Sequence, residues 1–348
     1  MHFLLHSPLD FTRRNRIVIA GVLLLLAQLS HAATDADTFR ELVRTTYNFR
    51  PSKLKDDGER ESKSAAMDKV WKFAEEHREQ CKGVLIEELD RPQADAWFRF
   101  DGGSLLVNID PSPANWQRFA DAHAVVEFAD VDPRAWVEGL AGLGAKGADT
   151  TKGALRWLAG PEQSYYLPEH GAMKIDRGYG ALFLFGTMDE KLAVAALSKV
   201  AAEEKHPQRD LALSLLFRLH TTESEAFLDK VKPDGLSAGA RAALEARKQP
   251  VAPIKRREGK AKTPRETILK ALEAGVKDNW EPFGKLTMKV KDGERDFVTV
   301  LTADDLPLVR LARRHLLAVA NPHMADIYKD FTGIIVTIEM QAAASGKK

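Results

Sequence analysis

The densest run of chemically reactive side chains lies between Tyr165 and Tyr179. The chain reads YYLPEH at 165–170 and DRGYG at 176–180. A carboxylate beside a histidine can perform acid–base chemistry, and tyrosines with an arginine can hold a polar ligand, provided that the fold brings them together. Because neighbouring residues usually point in different directions, the alternative is an ordered loop whose tyrosines pack against adjacent helices.

The candidate site residues of this segment fall into two groups. The candidate catalytic residues are Glu169, His170 and Asp176. The candidate ligand-binding residues are Tyr165, Tyr166, Arg177 and Tyr179. An envelope hydrolase or a cell-wall sugar-binding protein is the function that such a site would serve. The chain contains no P-loop, no G-x-S-x-G and no H-E-x-x-H motif, which favours a protein without catalysis.

Two further sequence patterns resemble binding motifs but lack the context that those motifs require. The run at 142–147 matches the dinucleotide fingerprint G-x-G-x-x-G, which requires a strand before it and a helix after it. Pro133–Leu143 is helical in pattern, so we expect Gly144 to cap that helix and no nucleotide to bind. His77 and Cys81 stand four residues apart on a predicted helix, which is half of a zinc site with nothing nearby to complete it. We predict no cofactor and no metal.

Tryptophans provide another candidate surface. The six residues are Trp71, Trp97, Trp116, Trp136, Trp157 and Trp280. Exposed tryptophans can stack on sugar rings, which is what a cell-wall sugar-binding protein would need. The helical spacing of several of them favours packing in the core instead.

Composition limits the class of protein. With 348 residues and 44% hydrophobic side chains, the chain is long enough for about two domains with sizeable cores. The 51 basic and 50 acidic side chains give a formal net charge of +1, which argues against a nucleic-acid-binding protein. A single cysteine excludes an internal disulfide.

The first residues resemble a secretory signal peptide. Arg13, Arg14 and Arg16 precede an apolar stretch at Ile17–Leu29, and Ser30-His31-Ala32 supplies the small residues that signal peptidase requires. We expect residues 1–32 to be cleaved and the protein to be periplasmic or extracellular, with no stable membrane insertion after cleavage. An uncleaved N-terminal anchor is the alternative.

The mature chain divides into four predicted regions. Residues 33–160 predict a small α+β domain, because helical segments alternate with short strands at Val84–Leu89, Trp97–Phe100 and Ser104–Ile109. A hairpin turn at Asp101-Gly102-Gly103 would join the last two strands. Residues 161–249 predict short antiparallel helices, the clearest being Asp189–Ala202 and Arg209–Leu219.

The remaining two regions are a linker and a helical end. Residues 250–264 are basic and proline-containing, and Lys255–Lys262 can touch an anionic polymer or lipid or remain a solvated loop. Residues 265–348 predict further helices, with a hairpin pairing Leu286–Val290 with Phe297–Leu301. Near the C-terminus, Gly333–Ile338 is rich enough in Ile and Val to form a strand instead of a helix.

Two blocks, within residues 189–248 and 304–340, resemble HEAT-type helical repeats. Pro207–Leu216 is similar to the second helix of such a repeat, and Asp304–Leu317 is closer still, with Val309 and Arg310 at the Val-Arg pair of the family. The resemblance implies a scaffold that binds a protein or peptide on its concave surface and performs no chemistry. The fold class predicted overall is mostly α, a small α+β domain followed by HEAT-like antiparallel helical hairpins. The function predicted is an exported binding or scaffold protein of the cell envelope.

Overall fold

A computed structural model describes residues 35–47, 50–53, 56–167, 171–248, 263–288, 300–319 and 324–344. It is mostly helical, as predicted. The chain separates into two compact units, an N-terminal unit that ends at Asn115 and a C-terminal unit that begins at Trp116. The predicted signal peptide at 1–32 and most of the basic linker lie outside the described residues.

Helices form the described part of the N-terminal unit. They are α1 (35–47), α2 (Asp57–Glu76), α3 (Arg78–Leu89) and α4 (Ala96–Ile109), and α5 (Pro113–His123) crosses the boundary between the units. Carboxylates begin two of these helices: Asp56 accepts from the backbone N–H of Glu59, and Asp95 from that of Phe98, each at 2.8 Å. Such caps satisfy backbone donors that the first helical turn leaves without a partner.

The small α+β domain is not what this region forms. The three predicted strands lie within α3 and α4, and no strand occurs in the described residues between 35 and 160. Short apolar runs fit a buried helix as well as a buried strand, and here tertiary packing decided for the helix. The predicted turn at Asp101-Gly102-Gly103 lies inside α4. A Cβ added at Gly102 would lie 2.9 Å from Leu89 Cδ2, so this glycine permits close helix packing and makes no turn.

One apolar cluster holds the N-terminal unit together. Phe39, Val43 and Tyr47 of α1 are fully buried with Leu85 of α3 and Leu105 of α4. Their spacing on α1, at intervals of four residues, is the spacing of one helix face.

The C-terminal unit contains more helices and one hairpin. Its elements are α6 (Pro133–Ala145), α7 (Thr151–Ala159), β1 (Gln163–Leu167), β2 (Gly171–Ile175), α8 (Arg177–Thr187), α9 (Glu190–Ala202), α10 (Arg209–Leu219), α11 (Thr222–Leu228), α12 (Ala238–Lys248), α13 (Arg265–Val276), α14 (Glu281–Met288), α15 (Leu306–Ala318) and α16 (Met324–Ala344). β1 and β2 pair antiparallel, with Tyr165 opposite Met173.

An aromatic cluster forms one centre of this unit. The indoles of Trp136 and Trp157 stack with their ring centroids 5.9 Å apart, and Phe128 meets the edge of both. α8 approaches this cluster closely, because a Cβ at Gly180 would lie 2.6 Å from the Trp157 ring. Any larger side chain at position 180 would collide with the indole of Trp157, so this position requires glycine. Trp97 is also buried, and Trp71, Trp116 and Trp280 are half-buried, so none of the six tryptophans is fully exposed.

The structure corrects the predicted cap of α6, places the start of the predicted C-terminal hairpin in a helix, and decides between helix and strand for Gly333–Ile338. The end of α6 is capped by Lys146, and Gly147, not Gly144, has the positive φ of +96° that only glycine adopts easily. Gly144 is buried within the helix. The predicted C-terminal hairpin begins at Leu286, which lies in α14, while most of the hairpin lies outside the described residues. Gly333–Ile338 is part of α16 and is not a strand, since Ile334, Ile335 and Ile338 form the buried face of that helix.

Candidate functional site

The predicted site segment forms the β1–β2 hairpin and the start of α8. Tyr165 and Tyr166 belong to β1, where their backbones pair with Met173 and Ala172. Glu169 and His170 follow β1 and lie outside the described residues. Their participation in catalysis therefore stays a prediction.

The other predicted site residues serve the local structure. Asp176 is the N-cap of α8, and its carboxylate accepts from the backbone N–H of Tyr179 at 2.7 Å. Arg177 donates to the carbonyl oxygen of Gly160 at 2.8 Å, while its own carbonyl accepts from the Trp157 indole at 3.1 Å. The ring of Tyr179 lies 4.7 Å from that of Phe183. These contacts fix the start of α8 and join it to the end of α7, on either side of the hairpin.

A convergence of charged side chains outside the predicted segment lies around His220. The imidazole Nε2 lies 3.0 Å from Glu339 Oε2 on α16, and Nδ1 lies 3.5 Å from Glu225 Oε1 on α11. Arg310 of α15 contacts the same group, donating to the carbonyl of His220 at 3.0 Å and to Glu339 Oε1 at 2.8 Å. We call His220, Glu225, Glu339 and Arg310 the His220 cluster.

Mutual interaction sets the charge states in the His220 cluster. Hydrogen bonds to Glu225 and then to Glu339 raise the pKa of His220 to about 9, against the opposing effect of burial. Burial by itself would raise the pKa of both carboxyls, but the hydrogen bond with His220 holds each pKa below its ordinary value. The histidine is therefore a cation at neutral pH and cannot act as a general base there.

The backbone of His220 is also unusual. It has φ of 47° and ψ of 60° and ends α10 in the left-handed conformation that glycine usually occupies. This conformation aims the imidazole toward Glu225 and Glu339, which lie on two different helices. The ion pairs of the His220 cluster thus connect α10, α11 and α16. The arrangement indicates a structural role in holding these helices together.

A buried arginine, Arg313, makes further polar contacts between these helices in the core. The Arg313 side chain is 2% exposed, and it donates to Glu190 Oε1, Thr332 Oγ1 and the Leu219 carbonyl, each at 3.0 Å. Its guanidinium also lies 4.5 Å from the centre of the Tyr328 ring. Arg313 therefore connects α9, α10, α15 and α16. The sequence alone does not indicate this role of Arg313, because Glu190 and Leu219 are distant from it along the chain. The HEAT-like resemblance singles out only Val309 and Arg310.

The N-terminal unit contains a buried carboxyl with a different environment. Asp101 of α4 is 7% exposed, and its Oδ2 has no hydrogen-bond partner among the described residues. The buried hydroxyl of Tyr47 likewise has no hydrogen-bond partner among the described residues. Burial raises the pKa of Asp101 to about 7 from 3.8. The pKa of Tyr47 is raised by burial and then by the charge of Asp101.

We expect Asp101 to make the N-terminal unit less stable as pH rises. The folded state holds the Asp101 proton up to about pH 7, whereas the unfolded chain releases it near 3.8. Stability therefore falls by up to about 1.4 kcal/mol per pH unit across that interval and then levels off. Asp101→Asn removes this slope. Amide hydrogen exchange of α1 and α4 as a function of pH measures it within this unit.

Asp68→Asn is the matched control, since Asp68 is an exposed aspartate of α2 in the same unit. It should keep the pH dependence of the wild type. A wild-type exchange profile in α4 that matches that of Asp101→Asn at every pH contradicts the prediction.

The half-site for zinc is not on one helix. His77 stands at the break between α2 and α3, and its Nδ1 lies 3.9 Å from Asp35 Oδ2. Cys81 is buried on α3, where burial raises the pKa of its thiol to about 12. Within the described ranges, no three His, Cys, Asp or Glu side chains meet in a way that could hold a metal ion. Nor does any described helix combine the length and apolarity needed to cross a bilayer.

Comparison with known proteins finds no match. No protein-family model, no curated protein and no solved structure is significantly similar to this chain.

Proposed function

We propose that this chain is an exported, non-catalytic binding or scaffold protein of the bacterial cell envelope, which binds a protein or peptide on its helical surface. The signal-like residues 1–32 support export. The HEAT-like blocks support a scaffold. Pro207–Leu216 includes most of α10, which packs against α9, and Asp304–Leu317 includes most of α15, which packs against α13 and α16. The short connection at 203–208 makes α9 and α10 antiparallel neighbours.

Exposed apolar side chains on the α9–α10 pair carry the proposal. Leu192 is 38% exposed and Phe217 is 40% exposed, and the only other large apolar side chain so exposed in the described residues is Val319. Leu192 is the third residue of α9 and Phe217 the third from the end of α10. In an antiparallel pair these positions lie at the same end. A partner that covers the side chains of Leu192 and Phe217 removes their apolar surface from water, which favours binding.

Site-specific photo-crosslinking tests this function. A photoreactive amino acid at position 192 or 217 of the full chain should crosslink to one discrete envelope protein in cells, whereas the same group at position 319 should not. The Leu192→Ser/Phe217→Ser variant should recover that protein at least about tenfold less well, a loss of about 1.4 kcal/mol. Val319→Ser is the control. Equal crosslinking from all three positions, or recovery unchanged by the double substitution, contradicts the proposal.

A further inference from the structure

His220 is the central member of a series of five alternating charges. On one side its Nε2 lies 3.0 Å from Glu339, which pairs with Arg310 at 2.8 Å. On the other side its Nδ1 lies 3.5 Å from Glu225, which also pairs with Arg247 of α12. The imidazole therefore links the Arg310–Glu339 pair of α15 and α16 to the Glu225–Arg247 pair of α11 and α12.

The position of the ring requires a proton on both nitrogens. Both face carboxylate oxygens, which only accept hydrogen bonds, whereas a neutral imidazole has one N–H donor and one acceptor nitrogen. Glu225 Oε1 is buried and has no hydrogen-bond partner elsewhere in the described residues, so it depends on Nδ1 of His220. A neutral ring that kept the shorter contact with Glu339 would turn a lone pair toward this oxygen. Two acceptors that face each other out of reach of water are unfavourable.

The other charged groups near His220 do not take over its role. The elements packed around it carry these further charges: Glu190 of α9, Arg218 of α10, Glu223 and Asp229 at α11, and Arg313 of α15. Residues 180–187 of α8 carry none. Glu190 pairs with Arg310 and Arg313, and Asp229 with Arg247, so arginines neutralise both carboxylates.

The imidazole is the member of the series whose charge changes above neutral pH. Arginines stay charged in proteins. Despite the raising effect of burial, hydrogen bonds with His220 keep the pKa of Glu225 and that of Glu339 below the ordinary value. The pKa of His220 is raised to about 9 from 6.5, by hydrogen bonds to Glu225 and then to Glu339.

We propose that His220 is a pH-sensitive switch: its proton holds α11 and α12 against the neighbouring helices, and loss of that proton frees them at Glu225. Glu339 stays bound in both states, because Arg310 and the remaining N–H of the ring both donate to it. Glu225 keeps its pair with Arg247, but that arginine lies on α12 and moves with it.

The pH range of the switch follows from the two pKa values of His220. In the closed state the pKa is about 9, and opening returns the ring toward its ordinary 6.5. The link is therefore complete below about pH 6.5 and is lost as pH rises through 9. The ratio of open to closed molecules should rise about tenfold per pH unit between these limits and then level off.

Pulsed EPR between two spin labels in the full chain tests the switch. Labels at Ala242 of α12 and Lys191 of α9, both exposed, report the distance between these helices once Cys81→Ser has removed the native thiol. Between pH 7.5 and 9.5, the ratio of longer distances to the original distance should rise more than about tenfold. A control pair at Lys191 and the exposed Gly333 of α16 should keep its distance.

Two substitutions should abolish the pH response in opposite ways. His220→Asn removes the titratable ring at a left-handed position that asparagine tolerates, so the longer distances should appear at every pH. Glu225→Gln supplies an amide N–H that can donate to the neutral ring, so the original distance should persist at pH 9.5. His206→Asn changes a histidine between α9 and α10 and is the matched control, which should respond like the wild type.

An unchanged distance in the wild type across this pH range overturns the proposal. A wild-type response in His220→Asn or in Glu225→Gln overturns it as well, because the titrating group is then another one. If His220→Asn does not fold, Glu225→Gln decides alone, since its expected result is the closed state.

Discussion

Arg313→Met should lower the free energy of unfolding of the C-terminal unit by about 3–5 kcal/mol, because it removes three hydrogen bonds that a buried guanidinium donates, one of them to a carboxylate. Methionine keeps much of the apolar stem but removes the hydrogen bonds to the Glu190 carboxylate, the Thr332 hydroxyl and the Leu219 carbonyl. Glu190, whose side chain is 30% exposed, keeps its ion pair with Arg310 at 3.6 Å. The contact with the Tyr328 ring is lost as well. Urea unfolding followed by circular dichroism measures the change.

Two companion variants make this test specific. Arg218→Met removes an exposed arginine from the neighbouring α10 and should change the free energy of unfolding by less than about 0.5 kcal/mol. Combining Arg313→Met with Glu190→Gln should cost less than the two single changes together, since both changes remove the same ion pair. Strict additivity, or equal effects of the two arginine substitutions, contradicts a central role for Arg313.

Trp136→Ala should lower the free energy of unfolding of the C-terminal unit by a similar amount, about 3–5 kcal/mol. The indole is fully buried between Phe128 and Trp157, with ring centroids 5.0 and 5.9 Å away. It also takes part in a reciprocal pair with His123: its Nε1 donates to the His123 carbonyl at 2.9 Å, and the imidazole Nε2 lies 2.7 Å from the Trp136 carbonyl. The substitution thus removes a large apolar side chain and a hydrogen bond at once.

Trp136→Phe separates these two effects. It retains an aromatic ring but removes the donor to the His123 carbonyl, at an expected cost of about 1–3 kcal/mol, well below that of alanine. Trp116→Ala serves as the position control, because Trp116 is only half-buried on α5. Thermal and urea unfolding of the three variants by circular dichroism should rank them accordingly. A Trp116→Ala effect as large as that of Trp136→Ala would show that the aromatic cluster is not a centre of stability.

The pKa of His123 fits its place in this cluster. Burial lowers it to about 4, against the smaller opposing effect of the hydrogen bond with the Trp136 carbonyl. Its environment is the reverse of that around His220, where two carboxylates hold the imidazole charged. The two histidines look alike in the sequence, where neither has ligand spacing. Their opposite charge states follow entirely from the groups that surround them.

Local sequence was sufficient to predict several helices of the C-terminal unit, α9 and α10 among them, but not α7 or α8. The apolar residues of α9 and α10 recur at helical spacing, and an aspartate begins α9, so both the type and the bounds of these helices follow from neighbouring residues. Mostly helical architecture followed from the same signals. The HEAT-like resemblance, export and partner binding stay predictions that the experiments above test.

Long-range packing decided the remaining features. Val84–Leu89 and Ser104–Ile109 carry residues that suit strand and helix alike. In the structure they belong to α3 and α4, which approach each other closely where Gly102 faces Leu89. The His220 cluster joins residues more than a hundred positions apart, which no local pattern records. α6 ends two residues later than predicted, so Gly147 rather than Gly144 takes the positive φ, since the exact end of a helix depends on what its last turn packs against. Periodicity is a property of neighbours along the chain, whereas charge state, close approach and exposure are properties of neighbours in space.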